Sequence, residues 1–438
     1  MHNLFPHIAL TLSLAYAAEC SFFSHPPERL PFHTKVPNIP LVRSSHSTYQ
    51  NLNRRSGVVS QSISNVNNFW FAKCNVGLAS NLTLLIDTGS GDVVLNPGVN
   101  ISSPESINTN VTFSNGYGTT KNDGTGTSII NGTIILDTMS FGGLKTTQPI
   151  GITSEDETKT PPFPGDGIVG FSGDMFKQFP GNTPSFFQSL CESGKLDECR
   201  FGLVLGAEEA GTLVLGGLDS SLYIGDITVA PAITGWVIAG DLAINGDIVA
   251  TDLVIEMDSG TATIVGPLET VSQIFNATGI QGVISETADG PFLTGYFPCN
   301  APPSVGFRIP SQSNASTLTA SAGISVVPTI FNIPNDAWVA KDNGNNNCTA
   351  VLGGQNYAAF PGLWVVGQPF FQGRYIDHDL ENGMMGFVAA NTTSTSTSPP
   401  SNTTLPVVGN SSSTGLASIA TNVKNLAIIV IGIAVILM

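Results

Sequence analysis

Charged side chains are scarce, at 11% of 438 residues, and only 16 are Lys or Arg against 32 Asp or Glu. A chain so poor in cations cannot neutralise a phosphate backbone, so nucleic acid is excluded as a partner. The cations also sit in the wrong places: Arg29, Lys35, Arg43, Arg54 and Arg55 precede residue 56, and Lys424 lies near the end. Only Glu19 and Glu28 accompany them, so the remainder carries 10 basic and 30 acidic residues, a formal charge of −20. That balance serves solubility. It also suits a protein working in acid, where most carboxylates are protonated and their repulsion falls away. Six scattered histidines, with no Cys-x-x-Cys or His-x-x-x-His spacing, give no metal site, and no cofactor is expected. Helical patterns are few; TPSFFQSLCESGK is one of them. The terminal apolar run LAIIVIGIAVILM has 13 residues, short for a membrane span.

Gly, Pro, Thr, Ser and Val are plentiful, which is the composition of an all-β chain with many turns. Short apolar runs broken by Gly, Asn, Asp and Pro extend from about 60 to 390. FGLVLGAEEAGTLVLGG reads as two strands around a polar turn, and TSIINGTIILDTMSFGG as strand, Asn-Gly turn, strand. The length suits two lobes of ordinary size.

The run IALTLSLAYA followed by small residues reads as a secretory signal over 1–18. Sequons at Asn81, Asn100, Asn110, Asn131, Asn276, Asn314, Asn347, Asn391, Asn402 and Asn410 add independent support for secretion as a glycoprotein. The six cysteines are then disulfide candidates. Cys191 and Cys199 are neighbours in sequence and pair. Cys299 and Cys348 could close a longer loop. Cys20 is lost with the leader, which leaves Cys74 odd. Residues 19–55 are Pro-rich and basic and end at Asn53-Arg54-Arg55-Ser56, which reads as a propeptide cut at a dibasic site, or else as a flexible arm. Residues 391–423 form a Ser/Thr-rich glycosylated stalk. Residues 424–438 are a hydrophobic tail, either a GPI signal after the small residues Asn410 to Gly415 or a short retained anchor. Either places the chain outside the cell, attached to the surface membrane or wall.

The chemistry lies in a pattern that occurs twice, 171 residues apart. LLIDTGSGDVV carries Asp87, Thr88, Gly89 and Ser90; VIEMDSGTATIVGP carries Asp258, Ser259, Gly260 and Thr261. One Asp-Thr-Gly is weak evidence, because Asp and Gly populate turns everywhere. Each copy, however, is followed by an apolar-apolar-Gly element, Ile168-Val169-Gly170 and Val365-Val366-Gly367. A short strand passing beside each Asp loop would explain both.

On these motifs the chain resembles the pepsin-like aspartic endopeptidases (family A1) of the fungal secreted type with a GPI-type tail, over residues from about 65 to 390. GTLVLGGLDSSLYIGDI resembles the strands before the crossing between lobes, and WVVGQPFFQGRYIDHDLENGMMGFV the family's C-terminal segment. The resemblance implies a bilobal double β-barrel with a cleft between pseudo-twofold lobes, here 56–228 and 229–390. It implies a zymogen and a monomer acting on polypeptide substrates, with bulky apolar residues preferred around the scissile bond. Asp87 and Asp258 meet in the cleft and share one proton, because two touching carboxylates cannot both ionise cheaply. One activates a water as general base and the other protonates the scissile carbonyl oxygen. Gly89 and Gly260 donate backbone N–H groups, Ser90 and Thr261 hold the outer oxygens, and Thr88 and Ser259 cross-link the loops. Cys299 and Cys348 match the family's C-terminal-lobe disulfide. Propeptide cations pair with the acidic cleft, with Lys35 the candidate for reaching the dyad.

Three positions depart from the family. Tyr117-Gly118-Thr119 is the natural match to the flap that covers the cleft, but Gly124-Thr125-Gly126 fits the spacing better and lacks a Tyr. Val94 stands where a Trp usually bonds the flap Tyr, and Gln368 where an acid is common. They leave open an alternative function, a weak or inactive pepsin-fold wall or binding protein.

Overall fold

The computed structural model describes residues 58–391, except 67–68, 102, 119–126, 155–161, 174–175, 182, 207–209, 288 and 358–359. The signal, propeptide, stalk and tail readings, Lys35, the Gly124-Thr125-Gly126 segment, Asn402 and Asn410 lie outside the described residues.

Strands dominate, and the longest described helix, Leu268–Thr278, has 11 residues. The alternation expected of half-buried strands is plain in Ile107–Gly118, where Phe113, Asn115 and Tyr117 are buried and the residues between them are less so. The short strands Gly167–Gly170 and Leu363–Val366 are buried at every position, as befits strands covered on both faces.

These two buried strands organise a repeat. In the first half, Ala79–Asp87 runs parallel to Gly167–Gly170, with Leu85 opposite Ile168 and Asp87 opposite Gly170. The chain then loops over the end of that strand, and Val93–Leu95 pairs antiparallel on its other side, Val93 opposite Val169. The second half does the same. Asp247–Met257 runs parallel to Leu363–Val366, with Met257 opposite Val366, and Ile264–Gly266 returns antiparallel on the far side. The strands beside each Asp loop expected from the apolar-apolar-Gly elements are therefore present.

The strands of the first half and those of the second belong to two sheets, and Tyr223–Thr234 bridges them. Its early part pairs with Met384–Ala390 (Thr228 opposite Phe387), and its end with Val237–Ile244 (Ala232 opposite Ile238). The chain's last strands return to the first half, Arg374–Asp379 pairing with Arg200–Leu205. Trp236 closes the junction: its indole N–H donates to Phe171 O at 2.8 Å and its ring packs edge-on against Phe201. The protein is thus mostly β with few short helices and a bilobal pepsin-like architecture.

FGLVLGAEEAGTLVLGG does form an antiparallel pair, Arg200–Leu205 with Ala210–Leu215. The Asn-Gly turn does not form: Asn131 and Gly132 lie inside one 15-residue strand, Thr127–Phe141, and the turn falls at Gly142-Gly143, both at positive φ. Gly132 serves close packing instead, since a Cβ there would lie 2.6 Å from Phe113 Cε1. The helical reading of TPSFFQSLCESGK holds as Phe186–Glu192, capped by reciprocal Ser185 and Gln188 bonds.

Candidate active site

Each repeat ends its long strand on a buried carboxyl group. Asp87 and Asp258 are both fully buried, and they meet where the two loops face one another. The loops match bond for bond. Gly89 N–H donates to Asp87 Oδ1 (2.9 Å) and Gly260 N–H to Asp258 Oδ1 (2.7 Å). Ser90 Oγ donates to Asp87 Oδ2 and Thr261 Oγ1 to Asp258 Oδ2, each at 2.5 Å. Behind them, Thr88 and Ser259 interlock. Ser259 N–H donates to Thr88 Oγ1 (2.8 Å), which donates to Met257 O (2.8 Å). Thr88 N–H donates to Ser259 Oγ (3.1 Å), which donates to Ile86 O (2.9 Å).

Only glycine fits beside the pair. A Cβ on Gly89 would lie 2.6 Å from Asp258 Cγ, and one on Gly260 would lie 2.8 Å from Asp87 Cγ. The residues singled out around the two aspartates, Thr88, Gly89, Ser90, Ser259, Gly260 and Thr261, are thus brought together at one point.

Burial raises the proton affinity of both carboxyls. Asp258 is raised well above the usual carboxylate range, first by burial, then by the charges of Asp87 and Glu256. A hydrogen bond joins the two carboxyl groups and lowers Asp87 relative to Asp258. Both carboxyls therefore favour the protonated form more than a free aspartate does, and they titrate as a pair. Such an arrangement can take a proton from one reactant and give one to another without net change. Among the described residues, the one cluster of potential metal ligands is Cys299, Asp342 and Cys348, whose sulfurs are joined to each other.

Tyr117 is fully buried on the strand Ile107–Gly118, edge-on to Phe163 at 4.9 Å between centroids. Gly118 is the last residue of that strand, paired with Thr127. Asp92 ties this strand to the first loop, a role the sequence reading missed. Its Oδ2 accepts from Asn115 Nδ2 (3.1 Å), Gln178 N (2.7 Å) and Phe179 N (3.2 Å). Asn115 Nδ2 also lies 3.3 Å from the Tyr117 hydroxyl, to which it donates. Gln178 in turn clasps the backbone of Gly116 through its Oε1 (2.7 Å) and Nε2 (3.0 Å). Burial pushes Asp92 up to about 6 against those donors. Val94 fills the place of the usual Trp with apolar contact in the Leu85, Phe113 and Tyr117 cluster. The tyrosine is anchored by Asn115 instead.

Gln368 also has a local reason. Its Nε2 donates to Ser259 O at 2.9 Å, and its backbone N–H to Thr261 O at 2.8 Å. An ionised acid could not make the first bond. Glu256, likewise missed, is 1% exposed, and neither carboxylate oxygen has a hydrogen-bond partner. A glutamate inside the apolar run VIEM was the available signal. Away from the site, Cys191–Cys199 and Cys299–Cys348 are bonded, with Cα atoms 5.3 and 5.1 Å apart. Cys74 is free and buried, and burial pushes its thiol up to about 12. Asn81, Asn100, Asn110, Asn276 and Asn347 are exposed; Asn131, Asn314 and Asn391 are half-buried. No helix among the described residues is long and apolar enough to cross a membrane.

A family model described as "Eukaryotic aspartyl protease" matches residues 69–390. The chain is 30% identical over 312 residues to "Secreted aspartyl protease 1" of Malassezia globosa, covering 69% of this chain and 68% of that protein. It is 26% identical over 334 residues to "Pepsin A" of Callithrix jacchus, covering 72% of this chain and 80% of that one. Among solved structures, the aspartic proteinase from Irpex lacteus is similar with a TM-score of 0.60 at 20% identity, covering 78% of this chain and 100% of that chain. That last likeness concerns the fold.

Proposed function

The chain belongs to the eukaryotic aspartyl protease family, and from this premise we propose that it is an endopeptidase working at acid pH through Asp87 and Asp258. The observation that carries the reading is the buried, hydrogen-bonded pair of carboxyls held by matching loops. Asp87, bonded by Gly89, Ser90 and Asp258, is the base that takes a proton from the attacking water. The hydroxide adds to the scissile carbonyl carbon while Asp258 protonates its oxygen. The tetrahedral adduct then collapses as a proton passes to the leaving amine, and the pair again holds one proton.

Tyr117 and Gly118 belong to the covering flap, and the Asp92–Asn115 pair holds its tyrosine against the cleft. The apolar cluster of Leu85, Phe113, Phe163 and Phe179 beside Tyr117 supports a preference for a bulky apolar residue on that side of the bond. The enzyme acts as a monomer, secreted and held at the cell surface by the glycosylated stalk and GPI-type tail. The signal-like N-terminus, the exposed sequons and the secreted Malassezia relative support that placement.

The test is cleavage of a denatured protein against pH, by the processed secreted form and its Asp87→Asn variant. Activity confined to acid, lost in the variant and blocked by a peptide bearing a tetrahedral hydroxyl at the scissile position, is expected. Processed protein that cleaves nothing, yet binds a wall polymer equally well with Asp87→Asn, overturns the reading in favour of a non-catalytic binding protein.

A further inference from the structure

Glu256 lies at the end of the strand Asp247–Met257, two residues before Asp258, and its carboxyl group interacts with those of both Asp258 and Asp87. Its counterpart in the first half, at the same offset from Asp87, is Leu85, which packs in the apolar cluster with Tyr117. Glu256 is as buried as that leucine but keeps both carboxylate oxygens without a partner. A carboxyl group in this state is costly, and native proteins leave few such groups unexplained.

Among the described residues, no cation acts on it. The groups acting on Glu256 electrostatically are Asp87, Asp258 and the phenol of Tyr357, with the exposed Asp289 acting on Tyr357 in turn. The flanking strands Val237–Ile244 and Leu363–Val366 carry one charged residue between them, Asp241, whose partner Arg308 is 2.6 Å away. The Tyr357 hydroxyl is itself without a hydrogen-bond partner. Among the described residues, two buried polar groups that interact with each other and with Asp258 thus lack a hydrogen-bond partner.

A peptide stretched across the dyad sends successive side chains to opposite sides. One residue flanking the scissile bond faces the Leu85 side, and the other faces the Glu256 side. Resting on the protease reading above, we propose that Glu256, with the Tyr357 hydroxyl, binds a lysine or arginine side chain of the substrate at the flanking position over the second half. The alkyl stem crosses the apolar wall, and the cation meets the buried carboxylate. Glu256 is therefore a specificity-determining residue, and the two sides of the scissile bond are read by unlike chemistry.

The linkage to pH gives a signature that a merely structural glutamate lacks. Burial and the neighbouring acids keep Glu256 protonated well above the ordinary range in the free enzyme. Pairing with a cation requires the ionised form, so binding releases a proton. Selectivity for the cation over an apolar side chain must then rise with pH.

The experiment compares two synthetic peptides that differ only in Lys or Leu at one flanking position, with the other flanking residue Phe. A second pair reverses the two positions. Relative kcat/KM is read across the active pH range for the wild type, Glu256→Leu and Glu256→Gln. The wild type is expected to favour Lys by about tenfold to a hundredfold at one flanking position only, rising with pH. Both variants are expected to lose that preference and its pH dependence, and Glu256→Leu to favour Leu there. Cleavage with the same Lys/Leu ratio in all three proteins, or a ratio flat with pH, overturns this inference and leaves the protease reading intact. Cleavage of no peptide by the processed wild type overturns both.

Discussion

The two halves agree around the paired aspartates and differ at the positions beside them. Around Asp87 and Asp258 the donors correspond one to one: glycine N–H to the inner oxygen, a hydroxyl to the outer oxygen, a threonine or serine locked to the opposite loop. Two residues before each Asp the halves part, Leu85 against Glu256. Five residues after, they part again, Asp92 against Thr263. The hairpins differ as well. The first buries Phe113, Asn115 and Tyr117, whereas the strand Gln281–Thr287 of the second is exposed along nearly its whole length. Proton exchange between equivalent carboxyls needs a symmetric pair. A peptide lying across the pair, as proposed above, has direction and is not symmetric, so positions that would touch it are free to diverge.

The largest effect should come from breaking the dyad on either side. Asp87→Asn and Asp258→Asn are each expected to cost about a thousandfold or more in kcat/KM. Because the pair acts as a unit, the double variant should be no worse than either single one. Two independent losses that multiply in the double variant would show that the carboxyls do not share one task. Residual rates need to be read on protein whose propeptide is shown to be gone.

Asp92 offers a sharper test of the asymmetry, because its counterpart Thr263 carries no charge. Burial raises Asp92 from 3.8 to about 6, so the folded chain keeps a proton that the unfolded chain has released. Stability must therefore fall as pH rises from about 4 through about 6, by roughly 3 kcal/mol from this group, and be insensitive to it above that. Asp87, Asp258 and Glu256, raised by burial, act in the same direction. Urea unfolding across this window should show the decline in the wild type and a shallower one in Asp92→Asn. An equal slope in both would mean that Asp92 holds the strand Ile107–Gly118 without carrying the pH dependence.

The same contrast explains what could be read from the chain alone. The Asp loops and the disulfide between Cys191 and Cys199 are local in sequence, and the short buried strands beside the loops, though distant in the chain, repeat one apolar-apolar-Gly pattern, so pattern exposes them. Asp92 and Glu256 stand in the same quoted segments, yet a single acid in an apolar run acquires meaning only from what folds against it. For Asp92 that is Gln178 and Phe179, 86 and 87 residues away. The Asn-Gly pair at 131–132 misleads for the same reason: Gly132 makes room for the Ile152 carbonyl and the Phe113 ring on the strands to either side, not for a turn. The helix Leu268–Thr278 escapes a search for apolar runs because it buries only Val271, Ile274 and Phe275.

The smallest expected effect concerns the lock between the halves. Thr88 and Ser259 each place one hydroxyl between an N–H and a carbonyl of the opposite loop, with all four distances between 2.8 and 3.1 Å. Removing either hydroxyl leaves a buried donor and a buried acceptor unmatched, at a cost of about 1–3 kcal/mol. Thr88→Ala also removes a methyl group that Ser259→Ala does not. Thr88→Ser separates the two contributions, because it keeps the hydroxyl. If the lock is symmetric, Ser259→Ala and the Thr88→Ser to Thr88→Ala step should cost nearly the same in urea unfolding. The Thr88→Ala/Ser259→Ala pair should then be non-additive, since each hydroxyl helps to place the other's loop. Unequal costs, or strict additivity, would mean that the two halves are held by the strands crossing between them, with the loops merely resting in contact.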